Sequence, residues 1–383
     1  MSDQTPALKA HIESLTVEGR LFESARSGDA DALRALLDAN PERLQAREEP
    51  YAWTLLHAAA QKGQLAVVDL LLARGLDPNT RERGDDSYPM HWAAAGGHLD
   101  VVRRLADADG DVVGRGDDHQ LEVIGWASVW DGCDDRHHRD VADFLVGRGA
   151  RHHIFSAIAH NLADEVRRIV AADPSALNKR MSRFESNQSP LHLAVRKNHH
   201  AMVELLLELG ADPLVVDADG LPVAAYATTR DADRPVMEAI GRMTAAERLS
   251  ADRGQRAMRG RVMDLVASLA LGDRDTAARL VHDDVELLRH GGALHILAKR
   301  DDSAAVRWLL DHGADPNARW MHADAEVTAL HLTAFSDGIE SARLLLAAGA
   351  DPRIRDGKHD SDAIGWAEHF GRVELRLLLE AAV

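Results

Sequence analysis

Residues Ser189 to Pro213 read SPLHLAVRKNHHAMVELLLELGADP. Pro190 suits the first turn of a helix, where its missing N–H has no partner to lose. Leu191, Ala194 and Val195 then recur at helical spacing. A polar turn around Asn198 ends that helix. Met202, Val203, Leu205, Leu206 and Leu207 supply a second apolar face, and Gly210 stops it as a C-terminal cap. The stretch therefore predicts two short antiparallel helices and a turn. Neither helix buries its apolar face alone, so the unit needs copies of itself on both sides.

Those copies recur along the chain. His57 and His91 are 34 residues apart, as are Trp92 and Trp126, and Leu332 and Trp366. The related segments are TLLHAAA from Thr54, YPMHWAAAGGHLDVV from Tyr88, GALHILA from Gly292 and TALHLTA from Thr328. The turns GLDPN from Gly75, GADP from Gly210, GADPN from Gly313 and GADP from Gly349 fall in register with them. On these residues the chain resembles the ankyrin repeat family, whose period is about 33 and whose signature is T-P-L-H-x-A. Two I-G-W-A variants, at Ile124 and Ile364, resemble bacterial-type members. The resemblance implies an all-α solenoid of paired antiparallel helices with short β-turn fingers. It also implies a binding scaffold whose partner is set by variable surface positions.

Composition agrees with a solenoid. The chain has 383 residues, of which 45% are hydrophobic and only 4% aromatic. A globular chain of that length divides into two or three cores, whereas each repeat of a solenoid contacts only its neighbours. Lys and Arg number 45 against 62 Asp and Glu, a net charge of −17. That field opposes nucleic acid and anionic membrane as general partners; it favours a basic or polar ligand or, as the plainer reading, serves only solubility. Cys133 is the single cysteine, so no intrachain disulfide framework exists and a reducing compartment fits. The polar N-terminus lacks the pattern of a signal peptide, and no apolar run reaches the length of a membrane span. The expectation is a soluble, cytoplasmic protein without a cofactor.

Eleven units follow one another. Residues from about Met1 to Gly19 read as a polar leader. The fourth unit replaces the expected histidine by Gly125 and carries an apparent insertion, Asp134 to Asp140, between its helices. The seventh, from Gly220, keeps only the frame. Thr244 and Glu247 form a capping box, predicting an extra helix over Thr244–Gly260. The expected organisation is an N-terminal array over 1–242, a helical connector over 243–260 and a C-terminal array over 261–383.

Among 21 histidines, His57, His91, His192, His295 and His331 occupy the T-P-L-H position. In the family that residue holds the turn before the helix, so these are read as structural. Cys133, His137, His138, His152, His153, His199 and His200 form a looser group. Zinc needs three or four ligands converging at about 2.0–2.3 Å, and no spacing here enforces that; no metal site is expected.

In the family the position after the motif histidine points into the concave groove. Here it carries Trp92, Trp126, Tyr226 and Trp366, with Trp53, Tyr88, Trp130 and Trp320 nearby, in a chain with seven Trp and three Tyr. Two readings stay open. The rings either line a binding surface or pack between repeats, where the missing histidines leave space for Trp126 and Trp366. Arg81, Arg180 and Arg319 recur just after second helices, and Arg183 sits in a long finger. With the aromatic residues they form the candidate ligand-binding set. The leading reading is a non-catalytic scaffold holding a protein or peptide in its groove. The other is a hydrolase, a lyase or a receptor for a polar small molecule or sugar, with Glu122, Asp131, Glu368 and His369 as candidate acid–base groups. No nucleophile elbow, phosphate loop or H-E-x-x-H is present, which favours binding over catalysis.

Overall fold

The computed structural model describes residues 16–133, 135–229, 231–242, 255–289, 292–322 and 324–383. The chain divides into two units, Met1–Ile169 and Val170–Val383. In both, helices come in short antiparallel pairs, and first helices pack on the first helix of the following repeat, as Leu55–Gln61 does on Pro89–Ala95 and Ala293–Lys299 on Ala329–Ser336.

Among the described residues, the N-terminal unit begins with Val17–Ser27 and Ala30–Ala39. The Thr16 side chain accepts from Gly19 N–H and starts the first helix there. The end of the expected leader is thus already the first repeat. The pairs Leu55–Gln61 with Leu65–Ala73, and Pro89–Ala95 with Leu99–Ala106, follow. In the fourth repeat Glu122–Trp126 precedes Arg136–Gly147. The expected insertion is no loop: the Asp135 carboxylate accepts from His138 N–H at 3.0 Å, and this N-cap draws residues 136–140 into the helix. Ile154–Ala159 begins the fifth repeat.

The C-terminal unit holds the pair Pro190–Arg196 with His200–Glu208. The seventh repeat has only the 3-10 turn Val223–Tyr226 before Arg234–Arg242. Gln255–Ala270 with Arg274–Asp283, Ala293–Lys299 with Ser303–Asp311, Ala329–Ser336 with Ile339–Ala347, and Ala363–His369 with Val373–Glu380 complete it. Most of the connector expected over 243–260 lies outside the described residues, and 255–260 begin the first helix of the eighth repeat. One finger is a true hairpin, Arg319–His322 paired antiparallel with Ala325–Thr328.

The motif histidines explain the register. Thr54 N–H donates to His57 Nδ1 at 3.3 Å, while His57 N–H donates to the Thr54 hydroxyl at 3.2 Å. Because Nδ1 accepts a backbone N–H, the ring proton sits on Nε2. His57 Nε2 then donates to Ser87 O at 3.2 Å, in the finger of the next repeat. His91 reaches Gly114 O at 3.0 Å, His192 reaches Leu221 O at 3.2 Å, His295 reaches Ala318 O at 2.9 Å and His331 reaches Ser361 O at 3.3 Å. His57, His91, His192 and His331 therefore cap their own helices, and all five histidines tie their helix to the following repeat.

The fifth repeat inverts this device. His153 takes the cap position and Ser156 the third helical position, with His153 N–H donating to Ser156 Oγ at 3.1 Å. His153 Nε2 reaches backwards, to Leu121 O at 2.8 Å. The ring thereby fills the space that the fourth repeat's histidine would take. A Cβ at Gly125 would lie 2.9 Å from His153 Nε2 and 2.7 Å from Leu121 Cβ. Restoring the family residue, Gly125→His, is therefore expected to destabilise by roughly 2–3 kcal/mol through overpacking. Thermal melts of Gly125→His and of Gly125→His/His153→Ser check this: the second change should recover part of the loss. A single variant as stable as the parent would show that the histidine exchange does not control packing there.

Candidate functional site

The aromatic positions of the N-terminal unit form one continuous stack. Trp53 and Trp92 have ring centroids 4.6 Å apart, Trp92 and Trp126 are 5.2 Å apart, and Trp126 and Trp130 are 4.7 Å apart. Trp126 is the hub, because His91, Trp92, His119 and Trp130 all meet it at steep angles. Such edge-to-face pairs suit the quadrupoles of the rings. The hub itself is only 2% exposed. Trp126 was a candidate ligand contact in the sequence; its ring is core. Its neighbours Trp53, Tyr88, Trp92 and Trp130 remain half-buried.

Burial of the hub has a polar reason as well. Trp126 Nε1–H donates to Asp117 at 3.2 Å, and the same carboxylate accepts from Leu121 N–H and Glu122 N–H at 3.2 and 2.9 Å. Two other repeats without a motif histidine repeat the arrangement. Tyr226 OH donates to Asp217 at 2.6 Å, and Trp366 Nε1–H donates to Asp356 at 2.9 Å. Burial raises the Asp356 pKa, but the indole N–H and the backbone N–H groups of His359, Lys358 and Ser361 bring it down to about 2. The aromatic residue after the missing histidine thus braces its own finger through a carboxylate. No local sequence pattern announces this, since donor and acceptor are nine or ten residues apart.

The finger arginines also prove to be braces. Arg47 donates to Arg81 O at 3.4 Å, and Arg81 donates to Arg115 O at 2.5 Å and to Tyr88 OH at 3.0 Å. Arg180 donates to Val216 O at 2.7 Å, and Arg319 donates to Arg355 O at 3.0 Å. Arg81, Arg180 and Arg319 link successive fingers. Arg183 is different: it is exposed, lies 4.8 Å from the Phe184 ring centroid, and that ring is 49% exposed. In the C-terminal unit Trp320 packs on Gly292 and stacks parallel to His322 at 5.7 Å, while Trp366 meets Phe335 at 5.9 Å.

The candidate acid–base groups do not gather into one constellation. Glu122 is paired with Arg115 at 3.1 Å. Asp131 is exposed in the fourth repeat, and Glu368 and His369 are exposed in the last. Burial lowers the pKa of His57, His91, His192 and His295 to about 4, so these rings are neutral near pH 7. His138 goes the other way, up to about 9. Hydrogen bonding to Cys133 contributes most, and the Asp135 carboxylate and Ala95 carbonyl on its two ring nitrogens add to it against burial. Among the described residues no three His, Cys, Asp or Glu side chains are placed to hold a metal ion. No described helix is long and apolar enough to cross a membrane. Two clefts of about 570 and 470 Å³ lie in the C-terminal unit; Glu238 lines both, with Asp264 and Asp273 in one and His200 and Glu204 in the other.

Known proteins share the repeat. Three family profiles match: "Ankyrin repeats (many copies)" over residues 56–106, "Ankyrin repeat" over 186–218 and "Ankyrin repeats (3 copies)" over 264–356. The E3 ubiquitin-protein ligase XB3 of Oryza sativa subsp. japonica is 34% identical over 96 residues, 25% of this chain and 21% of that protein. The ankyrin repeat protein nuc-2 of Neurospora crassa is 27% identical over 200 residues, 52% of this chain and 15% of that protein. The chain thus spans only a small part of the length of these relatives. The human ASB11 ankyrin repeat domain superposes with a TM-score of 0.40 at 19% identity, over 57% of this chain and 96% of that domain. The matched profiles fall on the same helix pairs and capping histidines that build both units: the chain is an ankyrin-repeat protein.

Proposed function

We propose that this chain is a protein-interaction scaffold that takes a polypeptide across the half-buried rings of Trp53, Trp92 and Trp130. The observation that supports this reading is the stack itself. Trp126 forms a rigid buried base, and the three outer indoles present area that loses little side-chain entropy on binding. Trp and Tyr with such support are the residues that dominate interface energetics. The braced fingers hold the surface in place before a partner arrives, which lowers the ordering cost of association.

Panning a random peptide library against the folded chain tests the reading. The expected result is a set of peptides that compete with one another. They should lose at least ten-fold in affinity for Trp53→Ala, with the melting temperature of that variant near the parent's. Failure to enrich any peptide, or enrichment of peptides indifferent to Trp53 and Trp130, would overturn it.

A further inference from the structure

The reading above leaves open what kind of segment the indoles accept, and the charges around them narrow it. Arg47 donates to the Ala52 and Arg81 carbonyls, and three other arginines of these fingers lie beside acids. Arg81 pairs with Asp86 at 3.1 Å, Arg115 with Glu122 at 3.1 Å, and Arg83 lies 3.8 Å from Glu49. Asp85 and Asp118 belong to none of these arginine pairs. Asp118 is exposed, and its backbone N–H donates to Asp85 O at 2.8 Å, so the two acids sit together on adjacent fingers. His119 lies 3.3 Å from the Asp85 carboxylate through Nε2, and its ring meets Trp130 edge-on at 5.3 Å. Asp85 is thereby held at the edge of the indole stack. The surface also accommodates a cation of its own, since the Arg81 guanidinium lies 4.4 Å from the Tyr88 ring centroid.

An electron-rich face with a carboxylate at its rim is the combination that selects a cation over a neutral or anionic group. The net charge of −17 adds a long-range attraction of the same sign. We propose that the N-terminal unit recognises a basic segment of its partner, with arginine or lysine side chains on the faces of Trp53, Trp92 and Trp130 and their charge met by Asp85 and Asp118. This inference rests on the scaffold reading.

The test uses the full chain and three capped octapeptides, alternating Ala with Arg, Gln or Glu, followed by intrinsic Trp fluorescence at low salt. The expected result is saturable binding of the Arg peptide at least ten-fold tighter than the Gln peptide, with no response to the Glu peptide. Asp85→Asn/Asp118→Asn should weaken the Arg peptide about five-fold without moving the melting temperature. Asp283→Asn/Glu374→Gln removes the same charge from exposed positions of the C-terminal unit and should leave binding unchanged. Equal binding of the Arg and Gln peptides overturns the inference. So does an equal loss from the two double variants, which signals diffuse charge alone. Neutral or acidic peptides that emerge from panning and depend on Trp53 also overturn it, while leaving the scaffold reading intact. If no polypeptide of any charge binds, both fall.

Discussion

Trp126→Ala is expected to lower the unfolding free energy by about 4 kcal/mol, the range seen when a buried aromatic is cut back to a methyl group. Three losses combine at this site. The ring is 2% exposed and touches four other rings, so its removal leaves a cavity bounded by rigid groups. Its N–H is one of the donors on Asp117, a residue that is itself 2% exposed, so the buried carboxylate loses a partner. Trp92 and Trp130 lose the base on which they lean. Urea unfolding followed by circular dichroism measures the effect, with Trp53→Ala as the comparison. An unchanged midpoint for Trp126→Ala would mean that the ring is not the hub described above.

Mild acid is the second large effect. In the unfolded chain a histidine takes up a proton near pH 6.5. Burial denies that proton to His57, His91, His192 and His295 until about pH 4. Between those values the unfolded state binds more protons, so stability falls as the pH falls. Each pH unit costs about 1.4 kcal/mol per histidine, and the four together remove on the order of 10 kcal/mol by pH 4. Typical domains have only about 5–15 kcal/mol in total. Asp233 opposes this: burial raises its pKa to about 6, so its folded form takes up a proton first as the pH falls. Asp217, also raised by burial, acts with it, whereas His98, His152, His322 and His331, lowered by burial, add to the four. Melting temperatures should therefore drop steeply between pH 6.5 and 4.5, and His192→Gln should flatten the slope by about one proton. A melting temperature constant over that range would sink the account.

The T-P-L-H segments and the GADP turns made the repeat legible because both are local devices. A capping hydroxyl and its histidine are three residues apart, and the Asp of each turn accepts an N–H two residues on, as Asp212 does from Leu214 at 2.9 Å. Even degenerate repeats kept such marks, and all eleven expected units have a helix pair or its remnant. What stayed hidden lay between repeats. Gly125 gives no hint that His153, 28 residues later, needs its space. The sequence left Trp126 equally open to groove and core, because ring burial depends on neighbours contributed by both the third and the fourth repeats. The finger arginines looked like ligand anchors, since a donor aimed at the next repeat's carbonyl has the same local sequence as one aimed at a partner.

The direction of the inter-repeat bonds in the N-terminal unit gives it a lopsided wiring. Arg47 and His57 lean on the third repeat, and Arg81 and His91 lean on the fourth. His153 points the other way and also leans on the fourth. Viewed as a directed graph, the fourth repeat receives arrows from both sides through these residues. Local melting of the second repeat frees its own donors and releases His98 of the third from Gln61 O, but leaves Arg81 and His91 of the third engaged on the fourth. Local melting of the fourth strands donors in the third and the fifth at once. The fourth repeat, which lacks the T-P-L-H histidine, is thus a meeting point of these bonds, and damage there releases finger donors of the third and the fifth together.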